Sequence, residues 1–303
     1  METKSKSILC FLLFFHFGSL AQVTNIDYFT LEKPTTIPEN FNPSILGFKE
    51  SFIFNATYSL PSYKEFYFTK AESRENIYYA KKVNDVWTAP TIASFSSPHH
   101  QDADPFFTTE GNRVYFVSSR PTHVTDSTND FNIWYADRNG ESWHEPIALP
   151  APINTDYQEY FFSISDKGNA FFSSNRSGGL GSFDIYQTKI LEDGSMSKPT
   201  NVGKPISSEY YEYDPFVASD ESFMVYTIID KPGGEGKSDI YFSIKGENGE
   251  WTNPINLGDK VNTAEEDFAA SISPDNQYLF YTNNGELHWV SIELLDALKA
   301  GNE

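Results

Sequence analysis

A pair of repeated motifs is the feature that most constrains the fold of this chain. Four segments place an aromatic residue or methionine three positions before a proline: WTAP at Trp87, WHEP at Trp143, MSKP at Met196 and WTNP at Trp251, spaced 56, 53 and 55 residues apart. Eleven or twelve residues before each copy lies a second element, NIYYA, NIWYA, DIYQT or DIYFS, and a weaker fifth copy reads ELHWV. Self-similarity at a fixed period of this length indicates stacked structural modules.

Each repeat contains four short apolar segments separated by polar turns. The chain has 26 Phe, 18 Tyr and 5 Trp together with 18 Gly and 17 Pro, a composition that favours strands joined by many turns. Four strands per repeat is typical of a propeller blade, in which neighbouring blades bury each other's faces and ring closure protects the strand edges. The sequence therefore predicts an all-β protein, a β-propeller of four-stranded blades.

The number of blades follows from the first strands, of which residues 50–292 supply five. The fifth repeat lacks a fourth strand, because the chain continues as ELLDALKA in a helix-like tail, 293–303. In the N-terminal segment 22–49, Leu31 and Pro34 are spaced like Trp87 and Pro90. We therefore expect five blades, with this N-terminal segment completing the last blade.

The first 21 residues are typical of a signal peptide. Lys4 and Lys6 precede an apolar run at 8–17, which is followed by small residues at Ser19 and Ala21. No later segment approaches the roughly 20 apolar residues that a membrane span requires. The sequence predicts a periplasmic or secreted protein without membrane insertion.

The formal net charge of the chain is −20 at pH 7. A surface this acidic repels nucleic acid and anionic lipid. Nucleic acid is therefore not an expected partner.

Three segments resemble a known repeat: FFSSNRSGGLGSFDIY at 171–186, WTNPINLGDKVNT at 251–263 and SISPDNQYLFYTNN at 271–284. They are similar to the WD40-like propeller repeat of periplasmic TolB-like proteins. The resemblance implies a non-catalytic binding scaffold for an envelope protein or a cell-wall glycan, and it implies no cofactor.

Acidic residues recur where the first strand of a blade begins. The recurring residues are Asp102, Glu159, Glu212 and Asp267, with Glu50 as a looser fifth member. First strands line the central channel of a propeller, so we expect these carboxylates around one of its mouths. Side chains alternate along a strand, which predicts that Asp104 and Asp214 face the same side.

Two tyrosines complete the candidate binding set. Tyr157 and Tyr211 lie close in sequence to Glu159 and Glu212. Their rings could stack on sugars or contact a protein, and they could equally pack between blades.

The acidic positions have three interpretations. We favour the first, in which turn amides of a neighbouring blade donate hydrogen bonds to each carboxylate and hold its pKa below the usual range. A cation such as calcium could instead bind at the mouth. Zinc binding by His99 and His100 is disfavoured because adjacent side chains on an extended strand point in opposite directions. No metal ligand set is assigned.

An enzyme remains the alternative function. The sequence contains no GxSxG elbow, phosphate loop or paired zinc-ligand motif. Acids around a propeller channel would nevertheless suit a glycan-acting enzyme, either a glycoside hydrolase or a sialidase-like protein.

Overall fold

The computed structural model describes residues 26–49, 51–123 and 130–301. The predicted signal peptide 1–21 and Glu50 lie outside these ranges. Within them, no helix is long and apolar enough to cross a membrane.

Five β-sheets follow one another along the chain. An N-terminal strand β1 (Glu39–Asn40) and a 3-10 turn (Ser44–Leu46) precede them. Blade 1 contains β2 (Phe52–Tyr58), β3 (Glu65–Ala71), β4 (Glu75–Val83), β5 (Val86–Trp87) and β6 (Thr91–Ile92). Blade 2 contains β7 (Asp102–Phe107), β8 (Arg113–Ser118), β9 (Asn132–Asn139), β10 (Ser142–Trp143) and β11 (Ile147–Ala148).

The remaining three blades repeat this order. Blade 3 contains β12 (Glu159–Ile164), β13 (Asn169–Ser174), β14 (Asp184–Lys189) and β15 (Thr200–Asn201). Blade 4 contains β16 (Tyr211–Val217), β17 (Phe223–Ile229), β18 (Ser238–Ile244) and β19 (Ile255–Asn256). Blade 5 contains β20 (Asp267–Ile272), β21 (Tyr278–Asn283) and β22 (Glu286–Ser291), after which the helix α1 (Glu293–Gly301) begins.

The first three strands of each blade form an antiparallel meander in sequence order. In blades 1 and 2, β6 pairs with β4 and β11 pairs with β9. The predicted five-bladed propeller is confirmed. The core lies between blades, as in the cluster that joins Ile240 and Phe242 of blade 4 to Leu279 and Val290 of blade 5. Burial against the neighbouring blade therefore holds each sheet in the ring.

The ring closes through the two ends of the described chain. Strand β1 pairs with β22 and supplies the fourth strand of blade 5, as predicted. The predicted register is wrong, however. Glu39 pairs with Trp289, and the equivalent pair in blade 1 is Thr91 with Tyr79. A proline directly precedes Glu39 and Thr91 alike, so Pro38 corresponds to Pro90 and Pro34 does not.

The segment before β1 packs inward where the prediction placed a strand. Tyr28 and Phe29 are buried, and Phe29 stacks on Trp87 with ring centroids 4.3 Å apart. Asp27 accepts a hydrogen bond from the Trp87 indole at 3.0 Å and forms an ion pair with Lys82 at 2.8 Å. These contacts attach the N-terminal segment to blade 1, while β1 attaches it to blade 5.

Candidate functional site: the acidic, aromatic mouth of the channel

The four repeated acids hold the loops that connect consecutive blades. Asp102, Glu159, Glu212 and Asp267 have no solvent-exposed surface. Glu159 accepts hydrogen bonds from the Thr155 backbone N–H at 3.0 Å, the Thr155 hydroxyl at 2.7 Å and the Ser174 hydroxyl at 2.9 Å. Ser208 and Thr263 make the same pair of contacts to Glu212 and Asp267, and Ser96 and Ser97 donate to Asp102.

Two of these acids also form buried ion pairs. The Arg120 guanidinium lies 3.0 Å from Asp102, and the Arg176 guanidinium lies 3.0 Å from Glu159. Each arginine donates a further hydrogen bond to a backbone carbonyl of the preceding loop, at Phe95 and Ile153 respectively. The two ion pairs therefore stabilise the loops that connect consecutive blades.

The predicted direction of the pKa shifts is wrong for these four residues. Burial raises the pKa of Asp102, Glu159 and Asp267, and it raises that of Glu212 to about 7. Their hydrogen-bond donors and arginine partners lower the pKa, but by less than burial raises it. Removal from water disfavours the charged form of a carboxyl group, and here that cost is larger than the gain from the donors.

A bulge recurs in every first strand and decides which acids face the channel. One residue in each of these strands has a positive φ, and the strand pairing shifts there. The five residues are Asn55, Asp104, Phe161, Asp214 and Ala269. An extra residue at a bulge interrupts the alternation of side chains. The expectation that Asp104 and Asp214 lie on the same side as Asp102 and Glu212 is therefore wrong.

A cavity of about 430 Å³ lies between the first strands, and the bulge residues Asp104, Asp214 and Ala269 line it. All five first strands contribute to its wall, which carries the acids Glu75, Asp104, Asp214 and Glu266. Six aromatic side chains also line the cavity: Phe52, Phe54, Phe131, Tyr160, Tyr213 and Phe268. We call this cavity and its rim the channel mouth.

The candidate residues are thus divided between two places. Asp104 and Asp214 line the channel mouth, whereas the four repeated acids do not. Tyr157 and Tyr211 are also absent from its wall, and their exposed fractions are 42% and 37%.

Two acids of this wall, Glu75 and Glu266, were not among the residues predicted from the sequence. Glu75 begins the third strand of blade 1, directly before Asn76 of the NIYYA motif. The equivalent residues Phe131 and Ser238, before the corresponding motifs of blades 2 and 4, also line the cavity. The residue directly before the repeated motif was therefore the sequence signal that could have identified Glu75.

Electrostatic repulsion is concentrated between the two aspartates. Asp214 accepts hydrogen bonds from the Ala269 backbone N–H at 3.0 Å and the Thr227 hydroxyl at 3.2 Å, yet burial raises its pKa to about 6. Burial and the negative charges of Asp214 and Glu75 raise the pKa of Asp104 well above its ordinary value. Burial also raises the pKa of Glu75. The site thus binds protons more strongly when folded than when unfolded.

We expect Asp214→Asn to stabilise the protein at pH 7.5. A raised pKa in the folded state means that stability falls as pH rises from about 4 through about 6, and that the loss persists above this range. The amide keeps an acceptor for Ala269 and removes one of the two repelling charges. We expect a gain of about 1 kcal/mol, less than the full pKa shift implies because Asp214 is only partly buried.

Urea unfolding at pH 4 and pH 7.5 measures this gain. The gain should be close to zero at pH 4, where the carboxyl group is already protonated. Glu192→Gln, at an exposed loop position, is the matched control. A loss of stability at pH 7.5 would contradict the account of the aspartate pair.

Comparisons with known proteins identify the fold. The structure is similar to a glycoside hydrolase, with a TM-score of 0.53 and 13% identity over 80% of this chain and 87% of that chain. It is also similar to the α-L-arabinofuranosidase from Lactobacillus brevis, with a TM-score of 0.50 and 13% identity over 78% of this chain and 83% of that chain. Likeness at such low identity shows the fold alone.

TolB from Acinetobacter baumannii is also among the similar structures. The TM-score is 0.48 and the identity is 14%, over 78% of this chain and 53% of TolB, so the chain spans about half the length of that protein. No protein-family model matches the chain, and no curated protein matches it. The resemblance to TolB-like proteins therefore stays a prediction, and the five sheets of this structure show the propeller fold.

Proposed function

We propose that this protein is an exported, non-catalytic propeller that binds a protein or cell-wall component of the bacterial envelope at the channel mouth. The cavity of about 430 Å³ carries the proposal, because aromatic surface and carboxylates from several blades meet there. Ligand sites are typically concave and mostly apolar, with a few polar groups that orient the ligand. The predicted signal peptide supports export.

The surroundings of the cavity also favour binding. The rings of Phe131 and Tyr160 lie 5.1 Å apart, and those of Tyr160 and Tyr213 lie 6.1 Å apart. These residues belong to blades 2, 3 and 4, so the propeller core holds the aromatic surface in place. A preorganised surface loses little conformational entropy when a partner binds.

Affinity capture from an envelope extract tests this function. We expect the wild-type protein to retain a specific component, and the double variant Asp104→Asn with Asp214→Asn to lose at least nine-tenths of it. Thr109→Ala is the control, because Thr109 lines a separate cavity of about 300 Å³ at the other end of the first strands. Equal capture by all three proteins would contradict a site at the channel mouth.

Glycan hydrolysis is the second candidate function, and the aspartate pair favours it. A glycoside hydrolase needs one carboxyl group that is protonated near neutral pH and a second that is ionised. Burial and the charges of Asp214 and Glu75 raise the pKa of Asp104, which is the direction that the first requirement needs. Release of reducing ends from cell-wall glycans, lost in Asp104→Asn, would replace the binding proposal with this one.

A further inference from the structure

We infer that the channel mouth receives a protonated amine of its partner, an inference that rests on the proposed binding function. The relevant feature is a cavity that combines carboxylates with aromatic faces. Both kinds of group attract a positively charged ligand.

The cavity wall carries more acidic than basic side chains. Glu75, Asp104 and Asp214 line it, and Lys237 is the one cationic side chain among the described residues of its wall. The Lys237 ammonium lies 2.9 Å from Glu265, and both side chains are more than half exposed. Lys237 is therefore already paired at the surface and does not neutralise the two aspartates.

The carboxyl group of Asp104 is incompletely paired. This residue is only 7% exposed and lies on the cavity wall. Asn55 donates to its carboxyl group, but one amide has two N–H groups and an ionised carboxylate has about four acceptor positions. A donor entering the cavity would satisfy the remaining positions, and a cationic donor would also relieve the repulsion from Asp214.

The aromatic side chains of the cavity wall also suit a cation. The rings of Phe52 and Phe268 lie 6.2 Å apart, and both line the cavity together with Tyr160 and Tyr213. An ammonium group within about 6 Å of such a ring is attracted by its negative face. Aromatic walls around an acidic centre therefore suit an organic cation.

The same geometry disfavours an inorganic cation. Calcium needs six to eight oxygen ligands that converge on one point. Within 26–49, 51–123 and 130–301, no group of three or more His, Cys, Asp or Glu residues could hold a metal ion. The acids line the cavity without converging on one point. An alkylammonium group can bind to carboxylates arranged in this way, whereas a metal ion cannot.

Binding of n-butylammonium to the purified protein tests the inference, and NMR shifts of Ala269 and Tyr160 provide the readout. We expect saturable shifts at these residues and at least tenfold weaker binding in Asp104→Asn with Asp214→Asn. n-Butanol, the neutral control, should cause no saturable shift. Equal responses to the amine and the alcohol, or unchanged affinity in the variant, would overturn the inference.

Two further probes identify the source of the amine. Preferential binding of an end-capped lysine peptide would assign the amine to a protein partner, and preferential binding of glucosamine over N-acetylglucosamine would assign it to a glycan. Because these assays need no envelope extract, their failure is distinguishable from a failure of the capture experiment. Capture that depends on the channel mouth without amine binding would retain the proposed function and reject the inference.

Discussion

Removal of the chain up to Phe41 is expected to abolish cooperative unfolding of the ring or to lower its melting temperature by more than about 15 °C. The deletion removes β1 and leaves β22 as an unpaired edge. It also removes Tyr28, Phe29 and Phe41 from the core cluster that contains Trp289. Loss of each buried aromatic side chain alone costs about 3 to 5 kcal/mol. Scanning calorimetry of the truncated and whole proteins measures the difference.

Two point variants distinguish the loss of ring closure from the general effects of truncation. Phe41 is fully buried, and its ring lies 5.1 Å from that of Trp289 and 5.5 Å from that of Phe66. Phe41→Ala should cost about 3 to 5 kcal/mol. Ile37→Ala, at a residue 64% exposed in the same segment, should change stability by less than about 0.5 kcal/mol. A truncated protein that melts like the whole chain would refute closure by the N-terminal segment.

The second large effect is expected from Glu159→Ala. The variant leaves the Arg176 guanidinium, whose side chain is 13% exposed, without its carboxylate. It also removes the acceptor for the Thr155 and Ser174 hydroxyls. Breaking a buried ion pair from one side costs about 3 to 5 kcal/mol, because the remaining charge stays buried and unpaired. Urea unfolding at pH 7 should show this loss.

The matched control is Tyr157→Ala, two residues away on the exposed surface. It should change stability by less than about 0.5 kcal/mol. Glu159→Gln should fall between the two, because the amide keeps one acceptor oxygen but loses the charge opposite Arg176. A neutral effect of Glu159→Ala would show that this acid does not hold the connection between blades 2 and 3.

The blades were predictable because the signal is periodic. Each repeat must bury both faces of a sheet against its neighbours, so the same apolar pattern returns about every 55 residues. The closing strand was harder to place. Prolines occur four residues apart at Pro34 and Pro38, and only the pairing of Glu39 with Trp289 identifies the second as the blade proline.

The site was less predictable because its geometry depends on the bulges. Asn and Asp tolerate a positive φ, and they occupy the bulge in blades 1, 2 and 4. Phe161 and Ala269 adopt the same conformation with no such preference. The sequence placed Asp104 and Asp214 on first strands, but it could not separate these cavity acids from the buried acids two residues earlier.

Site-specific photocrosslinking tests the central claim, that the partner binds at the channel mouth, most directly. Benzoylphenylalanine would replace Phe52 at the mouth, Tyr63 at the opposite cavity and Ile147 on an outer strand; the exposed fractions of Phe52 and Ile147 are 39% and 53%. In intact cells that export the protein, we predict a specific crosslinked product from the Phe52 position alone. Crosslinking from Tyr63 or Ile147 but not from Phe52 would contradict the claim.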